Sequence, residues 1–534
     1  MRGIEARPPP PTVFIARARR LELQGREKIK VPISFEVRET DLMGRNGVLT
    51  VGGKRVETPC LTPVVHPVNV DISMSQFKEM GFKALMTNSL IILRRRREEA
   101  LEKGLHRMLG FDGVVMTDSG GYQVLVYGQQ DITPSLIAEF QSSIGSDLAV
   151  TLDRPTGYSR SRQYAEETVR VSLKGARETI RRFGDSRTTW VGPIQGGLFG
   201  DLVRRSAKGL VSSGFEMLAL GSPVELMENY LFADLVRMIV AAKKSMPYSM
   251  PLHLFGAGHP LTLPLSVALG CDTFDSASYI LFAKQGRYMT ERGTLSLEEM
   301  TYLPCSCPTC NRTTRTDLVL MERNERVKML ALHNLYLLRQ DVLRCREAIS
   351  EGRLWDLVEE RAVVHPRALS AFAEMAKQSE WLSKGTPFLK ERGLLIRSEI
   401  DMERPELKIV REHVRGVMTK ARRRRAPRKA RGGEGPAAFL LVSDDERPLG
   451  RTPFNQKLQE LMKEEPRDMY KLHPQLGLYP AELEFVYPFT QTVSDSEVNR
   501  KDVRSAIAAL RNLGYSEILV CSREGIRRSR NRSR

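Results

Sequence analysis

Three aspartates stand at the ends of short apolar runs. Asp118 closes "GVVMTDS" (113–119), Asp153 closes "LAVTLD" (148–153), and Asp275 sits in "CDTFDS" (271–276) with Asp272 at the start of the same run. Two carboxylates beside one sugar carbon can run a double displacement, one attacking while the other moves protons. A third carboxylate next to an amide can read the hydrogen-bonding edge of a purine. Gln195, at the end of "TWVGPIQ" (189–195), supplies such an amide. Tyr122 and Phe255 are rings able to sandwich a flat base. Ser119, Gly196 and Gly221 lie beside these positions, and glycines let a flat ligand approach the backbone. Each residue alone has a plainer explanation, since an aspartate after a strand often caps a helix and a glycine often makes a turn. Their convergence on successive run ends is what points to nucleobase chemistry.

A second group is of a different kind. "PCSCPTC" (304–310) holds Cys305, Cys307 and Cys310, and "LALHNLY" downstream holds His333. Cys-x-Cys-x2-Cys-x22-His supplies three thiolates and an imidazole, a closed tetrahedral set. With four protein ligands no position remains for water or substrate, so the expected metal is structural. A redox pair needs only two cysteines and no distant histidine. Cys60, Cys271, Cys345 and Cys521 are scattered singly, unlike a disulfide framework.

The elements that must position these residues are legible as a rhythm. Short apolar β-prone runs begin at 59, 83, 113, 148, 189, 215, 251 and 271, with room for a helix between successive runs. Eight such units match the count and length of a (β/α)8 TIM barrel, whose active site lies at the C-terminal ends of the strands. A doubly wound open sheet is the competing arrangement. Before the rhythm, "ISFEVRETD" and "GVLTVGGKRVETP" alternate about turn signals as a β-hairpin does.

The chain has 534 residues, enough for two or three domains, and a formal net charge of +18. The positive excess is concentrated at Arg94 to Arg97, at Lys420 to Arg431, and in the tail "RRSRNRSR". Three basic tracts favour a polyanionic partner. No run of about 18 apolar residues is present, and the proline-rich start lacks the apolar core of a secretory signal. The expected location is therefore the cytoplasm, with no membrane partner.

Taken together, "TDSGGYQ" (117–123), "PIQGG" (193–197), "HLFGAGHP" (253–260), "GCDTFDSASY" (270–279) and the cysteine–histidine set resemble tRNA-guanine transglycosylase, in its archaeal, archaeosine-pathway form. The resemblance implies a TIM barrel with a zinc-binding helical subdomain and one structural Zn2+ per chain. It implies exchange of the D-arm guanine at position 15 of tRNA for 7-cyano-7-deazaguanine. By motif position it makes Asp275 the nucleophile and Asp118 the general acid/base. Asp153, Gln195, Gly196, Ser119, Tyr122, Phe255 and Gly221 would form the base pocket. The residues alone do not separate nucleophile from acid/base.

Two departures stand out. "ALGSP" places Ser222 where the family usually has a second glycine. The PUA domain of archaeal relatives has no recognisable counterpart, so a separate PUA-type RNA-binding protein, or the basic linker and tail, is expected to add affinity. The resemblance also implies a homodimer. The competing functions are a non-catalytic RNA-binding paralogue, and a transglycosylase acting on another guanine or on DNA. Retention of all three aspartates argues against the paralogue. The expected domains are an extension (1–33), the barrel with its zinc subdomain at about 300–352 (34–390), a basic linker (391–437) and a small C-terminal α/β domain with a basic tail (438–534).

Overall fold

The computed structural model describes residues 33–121, 132–425, 437–442, 468–489, 491–494, 497–522 and 525–530. Contacts divide the described residues into two units, the first holding those within 33–39, 44–349 and 357–372, the second those within 40–43, 350–356 and 373–530.

In the first unit, β1 (Ile33–Asp41), β2 (Gly44–Val51) and β3 (Lys54–Thr58) make a three-stranded sheet. Gly52 and Gly53, at φ 59° and 80°, turn β2 into β3. This left-handed pair is the turn that matches strand twist in a two-residue hairpin. The expected hairpin is thus present.

Eight parallel strands follow: β4 (Cys60–Pro63), β5 (Ala84–Asn88), β6 (Val114–Asp118), β7 (Leu148–Val150), β8 (Thr189–Ile194), β9 (Met217–Leu220), β10 (Leu252–Leu254) and β11 (Thr273–Ser276). Each pairs with the next from β5 to β11, and β11 returns to pair with β4 from Cys60–Thr273 to Pro63–Ser276. A parallel bridge between Val64 and Met86 joins β4 to β5, and Thr87 Oγ1 donates to Val65 O at 2.9 Å. The return of the last strand to the first excludes the open doubly wound sheet. The fold is a (β/α)8 barrel.

Strands buried on both faces read as continuous apolar runs, which is why the sequence rhythm was visible. The barrel interior is filled by Cys60, Ala84, Met86, Val114, Met116, Leu148, Val150, Val191, Met217 and Ala219. Leu49, Val51 and Val56 of the hairpin join that cluster, so the hairpin plugs the end where the strands begin. The opposite end, where strands finish, is left for the site.

The helices bury one stripe each. The helix α1 (Ser89–Arg95) follows β5, and in α2 (Arg162–Phe183) the buried positions Ala165, Val169, Ser172, Leu173, Ala176 and Thr179 recur at helical spacing. Ser161 caps its start by accepting from Tyr164 N. Beyond β11 come α3 (Ser278–Lys284), a hairpin of β12 (Arg287–Thr290) and β13 (Gly293–Ser296), the cysteine loop, and the 28-residue α4 (Arg323–Ser350).

The second unit contains a five-stranded sheet in the order β17 (Gly477–Pro480), β16 (Asp468–His473), β15 (Ala437–Leu441), β19 (Glu517–Ser522), β20 (Gly525–Arg530). Two further short strands, β14 (Leu394–Leu395) and β18 (Thr492–Val493), pair with each other. The helix α6 (Arg500–Asn512), numbered after α5 (Pro405–Arg425), packs Ala506 and Leu510 on Ala438, Leu440 and Ile518.

Here the structure differs from the linker read over 391–437. Leu407, Val410 and Val414 of α5 are buried with Leu394, Leu476, Tyr479 and Phe489. Their i, i+3, i+7 spacing is a core-facing stripe, and the surrounding Arg, Lys and Glu residues masked it in the composition. Ion pairs reinforce the same unit. Lys390 Nζ lies 2.7 Å from Asp41 and 2.6 Å from Glu406, and Arg404 donates to Asp356 at 2.9 Å, all of them buried.

Candidate active site

The ends of the barrel strands deliver their side chains to one cavity of about 1110 Å³, lined by Asp118, Asp153, Gln195, Gly221, Phe255 and Asp275 among others. Asp118 is the last residue of β6, and Asp275 lies on β11. Gln195 directly follows β8, Gly221 follows β9, and Phe255 follows β10.

Asp275 is held by one oxygen. Its Oδ1 accepts from the Gly256 backbone N–H at 2.8 Å and faces His253 Nε2 at 3.0 Å. No hydrogen bond to its Oδ2 is made among the described residues, and Asp275 lines the cavity. Asp118 differs. Asn88, the last residue of β5, donates from Nδ2 to Asp118 Oδ2 at 2.8 Å while its own Oδ1 caps α1 through Ile91 N. Burial pushes the Asp118 carboxyl up to about 6, the Gly120 N–H opposes the shift, and the nearby charge of Asp275 adds to it. A carboxyl held partly neutral at the end of a strand is suited to give and take a proton.

Asp153 and Gln195 form a second pair. Burial, and then the charge of Asp118, push Asp153 up to about 7. Gln195 Nε2 donates to Asp153 Oδ2, while Gln195 Oε1 accepts from Thr156 N at 2.8 Å and from Ser222 Oγ at 3.2 Å. These three bonds fix which end of the amide is donor and which is acceptor. One Nε2 hydrogen remains for a ligand carbonyl. Gly221 is obligatory here, because a Cβ would come within 2.2 Å of Gln195 Nε2. Ser222 adopts a left-handed backbone at φ 64°, an uncommon conformation for a residue with a Cβ.

Three expected site positions stand differently. Ser119 is fully buried with its hydroxyl turned to Thr151 O at 3.4 Å, so it supports the wall of the cavity from behind. Gly196 is buried too, and its N–H donates to Thr156 Oγ1 at 3.1 Å. Tyr122 lies outside the described residues. Asp272, which shares a run with Asp275 in the sequence, precedes β11 at the end opposite the mouth. It pairs in buried form with Arg45, Nε to Oδ1 at 2.9 Å, and accepts from Leu252 N at 2.8 Å. Arg45 comes from β2, so nothing local in the sequence reveals that pairing.

Asn88, Thr156 and His253 were not singled out from sequence. Asn88 ends the run "KALMTN" and could have been found by the rule applied to the aspartates. His253 lies mid-strand between leucines, and its neighbour in space is 22 residues away.

The cysteine–histidine set is assembled. Cys305, Cys307, Cys310 and His333 offer ligand atoms within 4.8 Å of one another. Cys307 and Cys310 Sγ lie 3.6 and 3.4 Å from His333 Nδ1. Tetrahedral bonds of about 2.3 Å to sulfur and about 2.0 Å to nitrogen place such atoms about 3.5 Å apart, so the four residues fit a metal ion. His333 Nε2 is 2.9 Å from Met289 O, which leaves Nδ1 as the ligating nitrogen. The next residue, Asn334, accepts from Met289 N at 2.9 Å and donates to Tyr279 O at 3.1 Å. One turn of α4 thus holds both the metal loop and the helix that follows β11.

The family model described as queuine tRNA-ribosyltransferase matches residues 41–367, which include every one of these side chains. The chain belongs to this family. Among similar proteins, the tRNA-guanine(15) transglycosylase of Aeropyrum pernix is 46% identical over 66% of this chain and 69% of its own length. The protein of that name from Sulfolobus acidocaldarius is 35% identical over 88% of this chain and 90% of its own. The one from Thermococcus onnurineus is 42% identical over 70% of this chain, which spans 64% of that relative. No described helix is long and apolar enough to cross a membrane.

Proposed function

We propose that the protein is a tRNA-guanine(15) transglycosylase that replaces a D-arm guanine by 7-cyano-7-deazaguanine as a step towards archaeosine. The observation that carries this reading is the placement of Asp118 and Asp275 in one cavity with the Asp153–Gln195 pair. The names of the archaeal relatives support the choice of polymer and position.

In this mechanism the target nucleotide is extruded from its stack into the cavity. Asp153 accepts from the ring N–H and exocyclic amine of guanine, and the free Gln195 Nε2–H donates to its carbonyl. Phe255 packs on the base. Asp275 Oδ2 attacks the ribose C1′, the C1′–N9 bond breaks, and its electron pair passes to the guanine, which takes a proton from Asp118. The incoming base gives its N9 proton to Asp118, its N9 attacks C1′, and the C1′–Oδ2 pair returns to Asp275. Two inversions give retention. Zinc at Cys305, Cys307, Cys310 and His333 would supply a structural crosslink only. The basic tracts would grip tRNA phosphates without reading sequence. A homodimer, a PUA-type protein acting in trans and a cytoplasmic location belong to the same reading.

The test is incubation with unmodified tRNA and each candidate base, followed by mass-spectrometric mapping. Incorporation of the cyano base at position 15 is expected. Asp275→Asn should abolish a covalent RNA adduct while tRNA binding survives. Incorporation confined to an anticodon, or normal exchange by the Asn variant, would overturn the assignment.

A further inference from the structure

His253 is completely buried, at 0% exposure, in the middle of β10. A buried imidazole needs partners for both nitrogens, and both are occupied. Nδ1 lies 2.9 Å from Thr273 Oγ1 and Nε2 lies 3.0 Å from Asp275 Oδ1. Phe255 meets the ring edge-on, with centroids 4.9 Å apart. A carboxylate oxygen can only accept, so the hydrogen belongs on Nε2, aimed at Asp275, and in the neutral ring Nδ1 then accepts from the Thr273 hydroxyl one strand over. The Gly256 N–H reaches the same Oδ1 at 2.8 Å. Two donors therefore converge on the oxygen that does not attack.

We infer that His253 is a positioning residue that, together with the Gly256 N–H, stabilises Asp275 as a departing carboxylate and so sets the balance between free enzyme and glycosyl ester. The inference rests on the base-exchange reading above. While Asp275 is a carboxylate, Oδ1 carries negative charge and both bonds are charge-assisted. Once Oδ2 is bonded to C1′, Oδ1 is the carbonyl oxygen of a neutral ester and the same bonds are roughly half as strong. The pair thus favours breaking the C1′–Oδ2 bond, with its electrons returning to the carboxylate, when the incoming base attacks. It also holds the carboxylate plane so that Oδ2 alone faces the ribose. A residue that merely filled space would do neither.

The experiment compares wild type, His253→Phe, His253→Gln and Thr273→Val. Each is incubated with tRNA at a fixed guanine concentration. The ratio of covalent adduct to free enzyme is read on a denaturing gel, and the guanine exchange rate and tRNA affinity are measured alongside. His253→Phe keeps the ring and removes the donor. Its adduct ratio should rise about fivefold while exchange falls at least about tenfold and tRNA affinity stays near wild type. His253→Gln restores an N–H at the Nε2 position and should return both values to within about threefold of wild type. Thr273→Val, near-isosteric, frees the ring and should raise the adduct ratio in the same direction by less, which carries the test if His253→Phe does not fold. An adduct ratio in the folded variants that is unchanged, or that falls in step with the rate, overturns the inference. Absence of any adduct or exchange in the wild type overturns the base-exchange reading itself, and the inference with it.

Discussion

Replacing Asp153 by asparagine should remove base recognition and at the same time make the barrel more stable at neutral pH. Burial is the leading cause that lifts this carboxyl from its ordinary value of 3.8 to about 7, with the charge of Asp118 second. In the unfolded chain the group ionises near its ordinary value. A raised folded value means that its favourable contribution is complete below pH 3.8, is lost as pH climbs to about 7, and changes no further above that. A shift of about three units corresponds to roughly 4 kcal/mol. Asparagine does not titrate, and its carbonyl can still accept from Gln195. For a domain of about 300 residues, with an unfolding entropy near 2.1 cal/mol/K per residue, the gain is about 6 °C in Tm. Thermal unfolding of both proteins from pH 3.5 to 9 is the assay. The two curves should run together below about pH 4, diverge through pH 4–7, and stay parallel above. The double variant with Asp118→Asn should gain less than the sum of the singles, since each carboxylate is part of the other's environment. A gap that is constant with pH, or that opens as pH falls, would refute the reasoning.

Two other outcomes follow from the site. Ser222→Gly relieves a left-handed backbone worth about 1 kcal/mol and loses a hydroxyl bond to Gln195 of similar size, so stability should stay within about 1 kcal/mol, whereas Ser222→Ala keeps the strain and should cost about 1 kcal/mol by denaturant titration. Stripping metal with a chelator should lower the first unfolding transition and weaken tRNA binding together, with one zinc per chain in the intact protein by elemental analysis; a metal-free, folded preparation that binds tRNA normally yet exchanges no base would show the site to be more than structural.

The barrel was readable in the sequence because its strands are buried on both faces and separated by single helices. The mouth was readable for a related reason, since the residue that ends each run is the one the architecture exposes. Asp272 shows where this rule stops. It shares a run with Asp275, but it precedes the strand and meets Arg45 at the plugged end, a partner contributed by β2. The stripe of α5 was hidden by its charged neighbours, and His253 by the leucines around it. Each of these depends on a contact between segments far apart in sequence, which no local pattern reports. The division of labour between Asp118 and Asp275 came from resemblance alone and stands as part of the proposed mechanism.

The way the barrel closes has a consequence for the order of synthesis. β4 pairs along its length with β11, and with β5 through the single Val64–Met86 bridge. The first barrel strand to leave the ribosome therefore waits about 210 residues for its main partner, a long wait of the kind that makes non-local pairing slow. Asp275 travels on β11, the last barrel strand. Under the proposed mechanism, the attacking carboxylate would join the site in the same event that seals the cylinder, and a copy with an open barrel would lack it.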